Sequence, residues 1–88
     1  MQKLTHSYYC GTSSTQIIYE TIGAYFDGIC AAFPENDALV VRHQGIRWSY
    51  REFQAKVDAL AAGLIALGIE PGDRVGIWGP NSAEWVAV

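Results

Sequence analysis

Residues 69–85 constrain the fold more than any other stretch of this chain. Pro71-Gly72-Asp73 is turn chemistry, in which Pro presets φ and Gly supplies angles that other residues avoid. Val75-Gly76-Ile77-Trp78 follows as an apolar run without alternation, the pattern of a strand covered on both faces. Asn81 then stands as a helix cap, with Glu84 in the capping-box position. A strand that feeds a helix through a short loop is the opening half of a β-α-β unit, whose return strand must come later in the chain. Val88 arrives while that helix is still running, so the spacing predicts the beginning of a larger sheet, incomplete on its own.

The residues before this stretch divide into an arm and three short elements. Residues 1–20 carry no periodicity and are rich in Ser, Thr, Gly and Tyr, which predicts an extended arm. Thr21 reads as a helix cap, and Ile22, Tyr25, Phe26, Ile29 and Phe33 recur at helical spacing until Pro34 ends the run. Residues 38–43 and 46–48 predict a hairpin, turned at Gln44-Gly45. Ser49 and Glu52 form a capping box ahead of a helix over residues 50–67. Its stripe is Tyr50, Phe53, Val57, Leu60, Leu64 and Leu67, its wet face carries Glu52 and Lys56 as a pair, and Gly68 closes its end.

Eighty-eight residues allow at most one small domain, which would bury roughly two-thirds of its unfolded surface. Yet 50% of the residues are apolar, so much of that surface is expected to face a larger partner. A net charge of −3 and the lack of a basic stripe argue against nucleic acid. The polar start lacks the apolar core of a signal peptide, and no apolar run approaches the ~20 residues that span a membrane. Cys10 and Cys30 do not make a disulfide framework, which predicts free thiols in a reducing cytoplasm.

Several groupings invite chemistry. Gly11-Thr12-Ser13-Ser14-Thr15 has the composition of a phosphate loop, but no strand precedes it and no Lys follows, so a solvated arm is the better reading. His6 and His43 do not make a zinc site with Cys10 or Cys30, since a lone His-x-x-x-Cys pair lacks two ligands. No Gly-x-Ser-x-Gly elbow is present; Cys30 reads as packed and inert, Cys10 as exposed and modestly reactive. Asp73 and Arg74 could pair, though a turn carboxylate beside a positioning Arg is favoured. The loop of Gly79, Pro80, Asn81 and Ser82, flanked by Trp78 and Trp85, is the best-placed candidate site, because open α/β sheets bind ligands at the carboxyl ends of their strands. Core packing is the competing role for both Trp residues.

In wording and order, Gly72-Asp73-Arg74-Val75, the run through Trp78, and Pro80-Asn81-Ser82-Ala83-Glu84-Trp85 resemble the start of the acyl-CoA synthetases, in the adenylate-forming, AMP-binding superfamily. Asp37-Ala38-Leu39-Val40, Ile46-Arg47-Trp48-Ser49-Tyr50-Arg51-Glu52-Phe53, Ala61-Ala62-Gly63-Leu64 and Leu67-Gly68-Ile69 are similar to the strand, hairpin-to-helix junction and helix end that precede it. Residues 7–15 and Thr21-Ile22-Gly23 look like the arm of a fatty-acyl-CoA synthetase subgroup. Ala83 stands where the family often has Pro, and Phe53 where Leu is common.

The resemblance implies an α/β fold with an arm over residues 1–20, then over 21–88 the beginning of a large AMP-binding domain: helix, β-hairpin, helix, buried strand and helix start. It implies an ATP-dependent fatty acid–CoA ligase in which ATP, Mg²⁺ and CoA serve the full-length enzyme and the remainder of the chain is this segment's partner. No position here matches the family's catalytic, cofactor-binding or metal-binding residues, so none is assigned; those are expected beyond Val88, and the 88 residues alone are expected to be inactive and to self-associate. The alternative is a free-standing interaction module that dimerises or binds a partner through exposed apolar surface, and a further one is a small nucleotide-binding domain using the 79–82 loop.

Overall fold

Thr21 begins the ordered architecture: its hydroxyl accepts the Ala24 N–H at 3.1 Å and caps α1, Ile22–Ala32. The structure is a computed structural model that describes residue 3 and residues 5–88, so Met1, Gln2 and Leu4 of the expected arm lie outside the described residues. Residues 5–20 form no helix or strand and expose their side chains.

Phe33 caps α1 where the backbone must leave the helical region ahead of Pro34. The chain then enters β1, Asp37–Val41, which pairs antiparallel with β2, Ile46–Ser49, with an irregularity between Asp37 and Leu39. The link is longer than the expected Gln44-Gly45 turn. Arg42–Gln44 makes one 3-10 turn, and Gly45 reverses the chain at φ 66°, a left-handed angle that suits Gly.

Helix α2, Tyr50–Ala66, follows with the capping box that the sequence predicts. Ser49 Oγ accepts the Glu52 N–H at 3.2 Å, and Glu52 Oε2 accepts the Ser49 N–H at 3.0 Å. The next two free donors are met as well: the Tyr50 and Arg51 N–H groups bond the Asn36 and Pro34 carbonyls, each at 3.0 Å. All four orphan donors of the helix start are thus satisfied by residues within reach. At the other end Gly68, at φ 90°, donates to the Ile65 carbonyl at 2.9 Å and Ile69 donates to Leu64 at 3.2 Å, a Schellman closure. Leu67 is therefore the C-cap and exposed, outside the stripe the sequence assigned to it.

Aromatic contacts join these elements. Phe53 meets Phe26 of α1 edge-on at 5.2 Å and stacks on Trp48 of β2 at 6.1 Å. Gln54 Nε2 donates to Asp27 across the two helices at 2.9 Å. The middle of the expected apolar face of α1 is half-buried at Phe26 and Ile29, beside the packed Cys30 at 3% exposure, while its ends are open, Ile22 at 91%. Lys56 does not pair with Glu52, whose carboxylate is engaged at the cap; it lies over the Trp48 ring at 5.7 Å instead.

Past Ile69 the fold departs most from expectation. Residues 73–78 pair with no strand, and Val75, Ile77 and Trp78 are all exposed, Trp78 completely. A buried strand needs a neighbour on its edge and layers on both faces, and among the described residues nothing covers this run on either face. The result, among the described residues, is a small α/β fold with a two-stranded antiparallel sheet and three α-helices, the last being α3, Ala83–Ala87. Its radius of gyration, 18.5 Å, exceeds the ~12 Å of a compact chain of this length.

Candidate functional site

The 79–82 loop is fixed at its far end. Ser82 rather than Asn81 caps α3, its hydroxyl accepting the Trp85 N–H at 3.2 Å. The Ala83 N–H, which the Ser82 cap leaves free, is taken by the side-chain oxygen of Gln44 at 2.8 Å. Gln44 Nε2 donates to Glu84 Oε2 at 2.9 Å, so Glu84 faces the hairpin turn and does not close a capping box. That hydrogen bond, joined by the Glu84 and Ser82 donors and the charge of His43, holds the Glu84 carboxyl below its usual range, against a smaller opposing desolvation. Ala83 is 0% exposed.

Around this anchor the surface is open. Ile77, Trp78, Pro80, Ser82 and Trp85 line a shallow depression at the loop. Trp48, Lys56, Leu60 and Glu84 line a second cleft, and an apolar groove runs between Phe26, Phe53, Val57 and Val86. Neither Trp78 nor Trp85 is buried in a core. Asp73 and Arg74 form no ion pair among the described residues; Asp73 closes its turn, its carboxylate accepting the Glu70 N–H at 2.8 Å and its own N–H reaching the Glu70 carbonyl at 3.0 Å.

The remaining candidates stay apart. In the 11–15 stretch the Thr15 N–H bonds only the nearby Ser13 hydroxyl, at 3.1 Å. Cys10 is exposed and Cys30 buried, both as free thiols. Burial under a thin layer, then the charges of Asp27 and Asp58, push the Cys30 thiol up, which disfavours its thiolate. Among the described residues no three or more His, Cys, Asp or Glu side chains gather to hold a metal ion. Among them, too, no helix is long and apolar enough to cross a membrane. Sequence reasoning missed Gln44 as an anchor because a side-chain amide reaching across 39 positions leaves no periodic signal. It also missed the exposed pairs Asp37–Arg47 and Glu35–Arg51.

Known proteins supply a comparison for this geometry. A sequence model of the AMP-binding enzymes matches residues 26–88. The medium-chain acyl-CoA ligase ACSF2, mitochondrial, of Mus musculus is 38% identical over 82 residues, 93% of this chain and 13% of the ligase. Its counterpart in Danio rerio is 41% identical over 83 residues, 94% of this chain and 14% of that protein. A putative acyl-CoA synthetase, YngI, of Bacillus subtilis is 38% identical over 73 residues, 83% of this chain and 13% of its own. The chain thus spans about an eighth of the length of these curated relatives. No solved structure matches.

Proposed function

This chain belongs to the family of AMP-binding enzymes, and from that premise we propose that it forms the N-terminal part of a fatty-acyl-CoA ligase. The full enzyme joins a fatty acid to ATP, the carboxylate attacking the α-phosphorus to give an acyl-adenylate and pyrophosphate. The thiol of CoA then displaces AMP and leaves the thioester. The names of the animal relatives point to medium-chain acids as the substrate class.

The observation that carries this reading is the reach of the similarity: identity to the ligases extends over 93% of the chain, not over one motif. It favours a ligase segment over a free-standing interaction module. In this reading residues 1–20 are an arm, and residues 21–88 open the AMP-binding domain and scaffold it. Their partner is the rest of the same chain, onto whose strands residues 73–78 pair. In this reading Mg²⁺ serves the full enzyme, and no residue of this segment is assigned to it. Free thiols fit a reducing compartment. The sequence points to the cytoplasm, and the names of the animal relatives to mitochondria; fractionation of cells expressing the full-length protein decides between them.

The full-length protein carrying this segment, given ATP, CoA and saturated acids of graded length, should release AMP and form thioester only with acid present, fastest at medium length. Residues 1–88 alone should catalyse no ATP–pyrophosphate exchange. A full-length protein that forms no thioester with any acid would sink the ligase reading, and exchange by the isolated residues would sink the scaffold role.

A further inference from the structure

We infer that Gln44 is the positioning residue that seats the 79–82 loop and the start of α3 on the hairpin, in the ligase reading given above. Its two bonds, to the Ala83 N–H at 2.8 Å and to Glu84 Oε2 at 2.9 Å, are the only hydrogen bonds among the described residues that tie residues 74–88 to the chain before Ile69. Ala83 is the first residue of α3, so its N–H has no partner within the helix, and with Ala83 fully buried that donor must be met by protein.

The chemistry selects glutamine. One side chain must accept from a backbone N–H and donate to a carboxylate at the same reach. A carboxylate accepts but does not donate when ionised, an ammonium donates only, and asparagine is a methylene shorter. The 3-10 turn and Gly45, at φ 66°, place that amide at the hairpin tip. Other groups around Glu84 leave the assignment intact. His43 sits on the same turn and its charge acts on Glu84, Lys56 of α2 shares a cleft with it, and Ser82 donates from its own loop. None of them bonds the Ala83 N–H.

Hydrogen exchange in the full-length protein tests the seat at the amides themselves. Gln44→Ala should speed exchange at Ala83 and Trp85 roughly tenfold relative to wild type, the loss of one or two modest hydrogen bonds. Gln44→Glu keeps the acceptor and the length but sets two carboxylates against each other. Its lesion should show at about pH 8 and shrink near pH 5, where a shared proton restores a donor. Gln44→Glu combined with Glu84→Gln exchanges amide and carboxylate, and should return exchange to within about twofold of wild type at both pH values. Thioester formation should fall and recover in the same order, through kcat.

Unchanged exchange at 83–88 in Gln44→Ala, or no recovery in the double variant, overturns the seat. Altered exchange with unaltered kcat in every variant overturns its part in positioning for the reaction. A wild-type protein without ligase activity removes the ligase reading, while the exchange ratios still decide on Gln44.

Discussion

Residues 34–69 close their own hydrogen bonds, whereas residues 70–88 leave their apolar surface in the open. In the first region the start of α2 has all four free donors met by Ser49, Glu52, Asn36 and Pro34, its end is closed through Gly68, and Phe53 sits between Phe26 and Trp48. In the second, Ala83 alone is buried, and Trp78, Trp85, Val86 and Val88 are exposed. Both regions lie inside the AMP-binding match. Caps, turns and hairpins are completed by residues a few positions away, while a buried strand is completed only by chain that lies elsewhere in the sequence.

The largest effect should come from Trp78→Ser, because it asks the two settings different questions. In residues 1–88 alone the side chain is fully exposed, and the change should leave stability within about 0.5 kcal/mol. In the full-length protein, where we place it in a covered strand, it should cost about 3 kcal/mol or more, read as a lower denaturation midpoint. Equal small effects in both would remove the claim that residues 73–78 await partners. The same exposure predicts that the isolated residues self-associate; sedimentation that stays monomeric at high concentration would count against it.

Phe53→Ala should be next, at about 2 kcal/mol, since it removes two aromatic contacts from a half-buried site. This loss should appear in the isolated residues as well as in the full protein, because both partners, Phe26 and Trp48, lie before Ile69. A loss confined to the full-length protein would mean that residues 21–69 are no more self-sufficient than the segment after them.

The contrast also explains what was legible beforehand. Thr21, the Ser49–Glu52 box and Gly68 were readable because a cap is a short-range pattern of side-chain oxygens and a φ that suits Gly. The composition of residues 75–78 reads as a buried strand, yet Val75, Ile77 and Trp78 are exposed, because composition records what a run could pack against and not whether that partner is among these residues. Asn81 reads as the cap because Asn and Ser cap about equally well, and two such residues side by side do not say which of them starts the helix. The Glu52–Lys56 pair failed for a different reason: each side chain had a better use, one at the cap and one over Trp48. At the candidate site the loop position was legible, but the anchor that holds it was not.

Gly68→Ala should cost about 1 kcal/mol, the penalty of a Cβ in the left-handed region. An added methyl would meet nothing within 4 Å, so no steric clash contributes and the effect isolates the backbone angle of 90°. Thermal unfolding followed through helix content would register it. A neutral result would mean that the helix end is held by later residues and not by its own closure.

Arg51→Ala should do least, and its smallness separates two ways of tying α2 to the α1–β1 linker. The guanidinium lies 2.6 Å from Glu35, but both side chains are about 70% exposed, and exposed pairs contribute roughly 0.5 kcal/mol or less. The Arg51 backbone N–H, which bonds the Pro34 carbonyl at 3.0 Å, is untouched by the substitution. If that backbone bond and its neighbour from Tyr50 hold the linker, the variant should lose about 0.5 kcal/mol in dilute buffer and nothing measurable near 1 M salt, where exposed charges are screened. A loss above about 1.5 kcal/mol that persists in salt would mean that the Arg side chain, and not the backbone, carries the junction, and the first region would then depend on a contact that no capping pattern encodes.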